Sequence, residues 1–306
     1  MAPSAPDPLL ARVRPSCAAL VAHEDSSVRV NSDKVRAFIE ELDRSEFQKL
    51  AEPMHFPLNF RSQQDEINFL TLYGLLNFGS GFRKELHKYA DRGAHDTIVF
   101  GLIGMYISVP KLSGEFMKNL SLDLVASYFS IPLEKDEEIS PGIYMAKPGP
   151  LKPLAQMLQR VLNECGQKLV EMKIEDFGAF VLANLSPKTS GDLEEKETDN
   201  EPKLTFADID ELTALSDNVL PCVLHALGVL EYDVELEAKI NRGEELPAGQ
   251  QECELRAAAL VACDQIVAES KGGISTLELD FYLWRVGKED RFRGLERHAT
   301  RDTFFY

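Results

Sequence analysis

The sequence predicts a mostly α-helical protein with a single helical domain over residues 1–306. Apolar residues recur at the three- and four-residue spacing of a helix in most segments, whereas the alternating runs typical of strands are few. The composition, 44% hydrophobic and 27% charged, is that of an ordinary globular protein. A chain of 306 residues is also long enough to bury a sizeable core.

Two segments carry the clearest helical pattern. One helix is predicted over 31–50, where Asn31 or Ser32 can cap the first amides. A second begins near Pro153, which is tolerated in a first turn, and Gly166 is expected to terminate it. The apolar stripes are Val35, Phe38, Ile39 and Leu42 in the first helix and Leu154, Met157, Leu158, Val161 and Leu162 in the second.

The helical pattern recurs less strictly further along the chain. Ser275 and Glu278 form a capping box that predicts the start of a last long helix. The best candidate strand is short, over 27–30. The weaker helical segments are 65–78, 121–130, 175–185, 218–230 and 251–269.

Two segments interrupt the helices. Residues 131–153 contain five prolines, which makes a continuous helix there difficult. Residues 186–203 combine a run of acids with a single apolar residue, and this composition predicts a mobile, solvated surface loop.

The charge balance argues against a nucleic-acid duplex as partner. The chain has 33 Lys and Arg against 50 Asp and Glu, a net charge of −17, and no basic block offers a footprint for a phosphate backbone. No apolar run approaches the roughly 18 residues that a membrane-spanning helix needs. We therefore expect no direct duplex or tRNA binding and no membrane, while a small phosphorylated ligand in a locally basic pocket is left open.

The cysteines and histidines favour a reducing compartment and no metal. Five scattered cysteines form no CxxC pair, which is typical of a cytoplasmic or nuclear protein. The N-terminus lacks the order of a secretory signal, while its few arginines keep a mitochondrial transit peptide as an alternative. The six histidines are isolated from one another, and the motifs of nucleotide-cradling loops, serine hydrolases and zincins are absent. We expect no metal and no cofactor; the oligomeric state is left open.

Several polar positions allow a structural and a functional interpretation. Asp217 precedes an apolar stretch with Pro221 in its first turn, so it can cap a helix. A carboxylate fixed at a helix start can equally stabilise positive charge on a sugar during C–N cleavage. Arg256 can pair with Glu252 at i, i+4, or it can belong with Glu254 to an active-site scaffold.

Two further stretches contain candidate functional residues that can also have a structural role. The Gly79-Ser80-Gly81 stretch follows a predicted helix end, and it can terminate that helix or wrap a ligand. At the C-terminal end, aromatic and charged residues converge, and this tail is expected to be buried. Its members are Asp280, Tyr282, Trp284, His298 and Arg301.

Five blocks of sequence resemble the queuosine salvage proteins, the queuosine 5′-phosphate N-glycosylases. They are the stretch from Asp217 through LGVLEY, then NRGEELPAGQQECELRAAAL, LDFYLW and HATRDTFFY, with LLNF at 75–78 upstream. The resemblance covers roughly residues 8–306. It implies a single α-helical domain related to helix-hairpin-helix DNA glycosylases. It also implies a metal-independent hydrolase that releases queuine from queuosine 5′-monophosphate, for salvage into tRNA.

The resemblance assigns roles to individual residues. Asp217 falls on the Asp of the family's Asp-Tyr-Arg-x-Pro-Gln motif and is the expected catalytic carboxylate, and Pro221 matches its proline. We expect substrate binding by the remaining candidates and a single pocket lined by Asn77, Phe78, Asp217 and Trp284. The substrate-binding candidates are Asn77, Phe78, Glu254, Arg256, Asp280, Trp284 and Arg301.

The chain departs from the family pattern at identifiable positions. Asn218, Val219 and Cys222 stand where the motif has Tyr, Arg and Gln. Residues 176–180 lack the lysine and arginine of the family's Lys-Arg-Ala-Gln helix, and Gly79-Ser80-Gly81 replaces a further aromatic pair. Each departure removes a group that could touch phosphate or base.

Two functions therefore compete. The first is N-glycosidic hydrolysis of queuosine 5′-monophosphate or a related 7-deazaguanine nucleotide, with Asp217 stabilising the ribosyl cation or orienting water. Arg83 and Lys84 could then replace the missing cations. The second is a divergent, non-catalytic nucleoside or queuine-binding protein on the same scaffold.

Overall fold

The computed structural model describes residues 10–184 and 209–306, and these residues are mostly helical, as predicted. The predicted loop over 186–203 lies outside them. The described residues group into two compact units, one formed by 10–55, 209–304 and 306 and the other by 56–184. The single domain over 1–306 stays a prediction.

The helices and strands follow one another along both units. Before the gap the helices are α1 (Leu10–Val21), α2 (Ser32–Glu41), α3 (Arg44–Leu50), α4 (Gln63–Leu76), α5 (Arg83–Ala90), α6 (Ala94–Ser108), α7 (Gly114–Lys118), α8 (Leu122–Phe129), α9 (Lys152–Glu171) and α10 (Phe177–Asn184). After it come α11 (Val219–Ala226), α12 (Val234–Asn241), α13 (Gln250–Glu269), α14 (Thr276–Val286) and α15 (Asp290–Arg293). The strands are β1 (Val28–Val30), β2 (Glu134–Ser140), β3 (Ile143–Pro148) and β4 (Leu230–Tyr232).

The first unit is organised around α13. This helix packs against α1, α2, α11, α14 and strand β1. Its buried face is rich in alanine, with Ala258, Ala259 and Ala262 fully enclosed, so the neighbouring elements approach closely. Strand β1, in the segment predicted as a strand, pairs antiparallel with β4. The position of the stretch before α11 is therefore set by a tightly packed core.

The helix predicted over 31–50 is in fact two helices. Asn31 caps α2, as predicted, by accepting bonds from the amides of Asp33 and Lys34. Leu42 then adopts an extended conformation that ends α2, and Asp43 caps α3 through the amides of Ser45 and Glu46. Asp43 explains the break. Its carboxylate accepts bonds from the amides of Ser45 and Glu46, and this local cap competes with a continuous helix.

The second unit buries a separate core between α4, α6, α8 and α9. The proline-rich segment at 131–153 is not continuously helical, which confirms that prediction. It forms an antiparallel hairpin in which Glu134 on β2 faces Pro148 on β3. Among the described residues, no helix combines the length and the apolar character that crossing a membrane requires.

Gly166 does not terminate its helix, and that prediction is wrong. Helix α9 continues to Glu171, with Gly166 buried inside it against α7. A Cβ at this position would lie 2.6 Å from the carbonyl oxygen of Gly114 and would also collide with the amide nitrogen of Lys118. The glycine is required by the close approach of two helices, which a helical pattern in one segment does not reveal.

The capping box of the last long helix is confirmed. The Ser275 side chain accepts a bond from the Glu278 amide, and the Glu278 carboxylate accepts one from the Ser275 amide. Helix α14 therefore starts where the sequence predicts, and this fixes Asp280 in its second turn.

The space around two helical glycines predicts opposite effects for their substitution: Gly166 lies in the contact between α7 and α9, whereas Gly74 lies in α4. Gly166→Ala forces side-chain volume between packed backbones, and we expect a loss of ~1–3 kcal/mol in the free energy of unfolding. Gly74→Ala is the control, because no atom lies within 4 Å of an added Cβ there. Since alanine is the better helix former, this change should add ~0.5–1 kcal/mol. Urea unfolding monitored by circular dichroism measures both; equal effects would contradict the packing argument.

Candidate active site

Asp217 caps helix α11. Its Oδ1 accepts hydrogen bonds from the amides of Val219 at 2.7 Å and Leu220 at 3.3 Å. The capping interpretation is therefore confirmed, and the alternative catalytic role uses the same placement. Both bonds end on one oxygen, so Oδ2 is not part of the cap.

The surroundings of Asp217 act on its charge in opposite directions. Burial raises the pKa of this carboxyl, while the two amides of the cap and the Arg297 guanidinium lower it. Arg297 is itself held in place, because it donates a bond of 2.6 Å to the carbonyl oxygen of Gly287. A half-buried carboxylate with a fixed cation beside it can face charge that develops on a bound molecule.

Arg256 fixes the chain immediately before Asp217. Its Nε donates to the carbonyl oxygen of Ser216 at 3.0 Å, and its guanidinium pairs with Glu252 at 3.1 Å. Glu252 is almost fully buried, so this ion pair is shielded from solvent. The predicted i, i+4 pair is thus present, while the role of Arg256 in an active-site scaffold stays a prediction.

Asp280 anchors the other end of the same stretch. It accepts a hydrogen bond of 2.5 Å from the amide of Leu215. Burial raises the pKa of Asp280 to about 7, and the neighbouring charge of Asp217 adds to the rise. Near neutral pH this carboxyl therefore exists in both protonation states.

A cavity of about 250 Å³ lies between α11, α12 and the C-terminal tail. The rings of His225 and Tyr232 stack in its wall, with centroids 3.9 Å apart. Glu237 lies 3.6 Å from His225 Nε2. Arg297 also lines the cavity, so one cation serves both the cavity and Asp217.

His298 is a buried wall residue of this cavity. Desolvation lowers the pKa of its imidazole to about 3, so the ring is neutral. Within residues 10–184 and 209–306 its Nε2 has no hydrogen-bond partner. A buried polar atom in this state is a position that water or a ligand group can satisfy.

The other predicted residues of this unit have structural partners. Glu254 is buried and accepts bonds from the Ser27 amide and from the Gln250 side chain. The ring of Trp284 lies 3.4 Å from the Lys288 ammonium, and Arg301 pairs with Glu245 at 3.4 Å. These contacts show how the side chains are held; their substrate-binding roles stay predictions.

Asn77 and Phe78 belong to the second unit. Asn77 is exposed at the end of α4, whereas Phe78 is buried in the core. Helix α4 ends at Leu76 with Asn77 as its C-cap, and Gly79, with a φ of 100° and its Cβ position blocked by Leu154, begins a 3-10 turn over Ser80–Phe82. Neither the terminator role nor the ligand-binding role of this stretch is tested, and both stay predictions. Arg83 begins α5. The prediction that one pocket unites these residues with Asp217 and Trp284 stays a prediction.

The three positions that depart from the family motif are structural here. Asn218 is buried and donates to the carbonyl oxygen of His298 at 3.3 Å, and the Cys222 thiol donates to the carbonyl of Glu296. Val219 is in the core, where its side chain occupies the space that a Cβ on Gly287 would need. These side chains are committed to the packing of α11.

Sequence reasoning missed Arg297 and the His225–Tyr232 stack. No periodic or motif signal marks Arg297, since only the fold brings the tail to the start of α11.

The described residues contain no group of three or more His, Cys, Asp or Glu side chains placed to hold a metal ion.

Comparison with known proteins gives a match in the C-terminal part of the chain. The family model described as queuosine salvage protein matches residues 191–306. This part of the chain is similar to the queuosine salvage proteins. The resemblance predicted from the sequence is confirmed there, whereas the upstream resemblance at 75–78 stays a prediction.

Individual relatives carry the same similarity. A Sphaerobacter thermophilus protein named queuosine 5′-phosphate N-glycosylase/hydrolase is 36% identical over 104 residues, covering 33% of this chain and 32% of its own length. Proteins of that name from Bos taurus and Mus musculus are each 33% identical, over 115 and 114 residues, covering 33% of both chains. The chain thus spans about a third of the length of the curated relatives it matches.

The raised pKa of Asp280 predicts a pH-dependent effect of Asp280→Asn on stability. The folded state holds the proton up to about pH 7, whereas the unfolded chain releases it near pH 4. Folding therefore becomes less favourable as the pH rises through this window, and asparagine lacks that penalty. We expect the stability of the variant relative to the parent to increase as the pH rises from about 4 to about 7, as measured by urea unfolding. A difference independent of pH would contradict this.

Proposed function

We propose that the protein hydrolyses the N-glycosidic bond of queuosine 5′-monophosphate, or of a related 7-deazaguanine nucleotide, and releases queuine. The observation that carries the proposal is Asp217. It is a half-buried carboxylate at a helix start, and the Arg297 guanidinium that acts on its charge also lines the cavity. It lies within the stretch that is similar to proteins named for this reaction.

Asp217 has the chemistry that the bond cleavage needs. As the C1′–N bond lengthens, positive charge develops on the sugar, and a preorganised carboxylate stabilises that charge more than it stabilises the neutral substrate. The cap and Arg256 fix the backbone at Ser216 and Asp217. Little reorganisation is then required at the moment of reaction.

The cavity of about 250 Å³ suits a base better than a whole nucleotide. Ligand sites for larger molecules usually enclose roughly 300–1,000 Å³. The stacked rings of His225 and Tyr232 offer a flat wall to a planar base. Glu237 could pair with the secondary ammonium of queuine, since charge-assisted hydrogen bonds are the strong ones.

The wider features of the proposal follow from the same resemblance. We propose an architecture related to helix-hairpin-helix DNA glycosylases, a cytoplasmic location and a small-molecule nucleotide as substrate without direct duplex binding. The net charge of −17 supports the last point, because a phosphate backbone would be repelled.

The departures from the family motif favour a second candidate function. Val219 is an apolar core residue, the Asn218 side chain donates to the carbonyl oxygen of His298, and Cys222 lines the cavity with a thiol where the motif has the amide of Gln. A non-catalytic nucleoside or queuine-binding protein would retain the cavity without needing those groups.

The proposal predicts a specific rate loss for Asp217→Asn. Asparagine caps helices as well as aspartate does, so the variant should fold. Removing the charge should cost at least ~2.7–4 kcal/mol of activation free energy, about a hundredfold or more in rate, by analogy with a lost oxyanion-hole donor. Free queuine released from queuosine and from its 5′-monophosphate, without added metal, is measured by mass spectrometry.

Asp233→Asn is the matched control. Asp233 caps α12 in the same way, through the amide of Leu236 at 2.6 Å, and this variant should keep the parent's rate. Unchanged turnover in Asp217→Asn would assign the reaction to another carboxylate. Binding without turnover in the parent would establish the binding protein instead.

A further inference from the structure

Two carboxylates, Asp280 and Asp217, accept bonds from backbone amides between Leu215 and Leu220, and their surroundings differ. We infer that Asp280 donates the proton to the departing base while Asp217 stays ionised and faces the sugar. This inference rests on the proposed hydrolysis and deepens it, since it assigns the acid of that reaction.

The geometry sets both carboxyl groups against one short stretch of backbone. Asp280 accepts the amide of Leu215, and Asp217 accepts the amides of Val219 and Leu220. The two are close enough that the charge of Asp217 opposes ionisation of Asp280. Leu215 is 72% exposed, and Asp217 and Asp280 are partly exposed, so a small molecule can reach the start of this stretch.

The charged groups around each carboxyl decide which one keeps a proton. Burial raises the pKa of Asp217, and the Arg297 guanidinium and two amides counteract this rise. Asp280 has one amide, and it faces Asp217 from the stretch before α11 and the buried Cys263 thiol from α13. Burial raises the pKa of that thiol, which stays neutral and offers no compensating charge. Like charges in one site push two pKa values apart, and this pattern marks an acid and a base.

The reaction balances with one water molecule. The C1′–N bond breaks and its electron pair goes to the base nitrogen, which takes the proton of Asp280. Water adds to C1′ and releases its proton to solvent, and the Asp280 carboxylate takes up a proton from solvent again. The products are queuine and ribose 5-phosphate, and Asp280 ends in the state in which it began.

An activated leaving group tests the inference. Asp280→Asn retains an oxygen that accepts the Leu215 amide but has no proton to give. With queuosine 5′-monophosphate we expect a loss of about 100- to 10,000-fold in kcat, the usual range for general acid catalysis. With 4-nitrophenyl riboside 5-phosphate, whose leaving group needs no proton, the variant should stay within about threefold of the parent, whereas Asp217→Asn should lose activity on both substrates.

The pH profile gives an independent measurement. The parent's kcat on queuosine 5′-monophosphate should fall above about pH 7, and the nitrophenyl substrate should show no such fall. An equal loss on both substrates in Asp280→Asn, or no loss on either, overturns the inference while leaving the hydrolysis standing. A parent that cleaves neither substrate overturns the proposed function, and this inference with it.

Discussion

Hydrogen bonds to the backbone between Leu215 and Leu220 determine where the reactive groups of the first unit lie. Asp280 binds the first amide of this stretch, Arg256 binds the carbonyl of Ser216, and Asp217 binds the amides that open α11. Asp280 and Arg256 belong to two different packed helices, α14 and α13, whereas Asp217 is part of the stretch itself. The stretch has no regular secondary structure before α11, so these side chains supply the order that a helix or sheet would otherwise give.

The sequence was informative where one residue decides a local structure. Asn31 and the Ser275–Glu278 box cap helices as predicted, because capping depends on a few adjacent residues. It was misleading at Gly166, whose role depends on a second helix distant in sequence. The break at Asp43 was missed for a related reason, since a periodic apolar stripe continues across two helices that share one core.

In the candidate site, too, some residues could be recognised from the sequence and others could not. Asp217 was recognisable from its position before an apolar stretch, and from the resemblance. Arg297 and the raised pKa of Asp280 were not, because both depend on which groups the fold brings together. Burial and nearby charge are properties of the packed chain. A motif can therefore suggest which carboxylate matters, but the division of labour between two of them needs the structure.

The fit between Val219 and Gly287 couples position 219 to the cation beside Asp217. Val219 fills space that is open only because residue 287 has no side chain, and the carbonyl oxygen of Gly287 in turn accepts the bond that holds Arg297. A long charged side chain at 219 would therefore press on the end of α14. Such a change would disturb the position of Arg297 as well as the packing of α11.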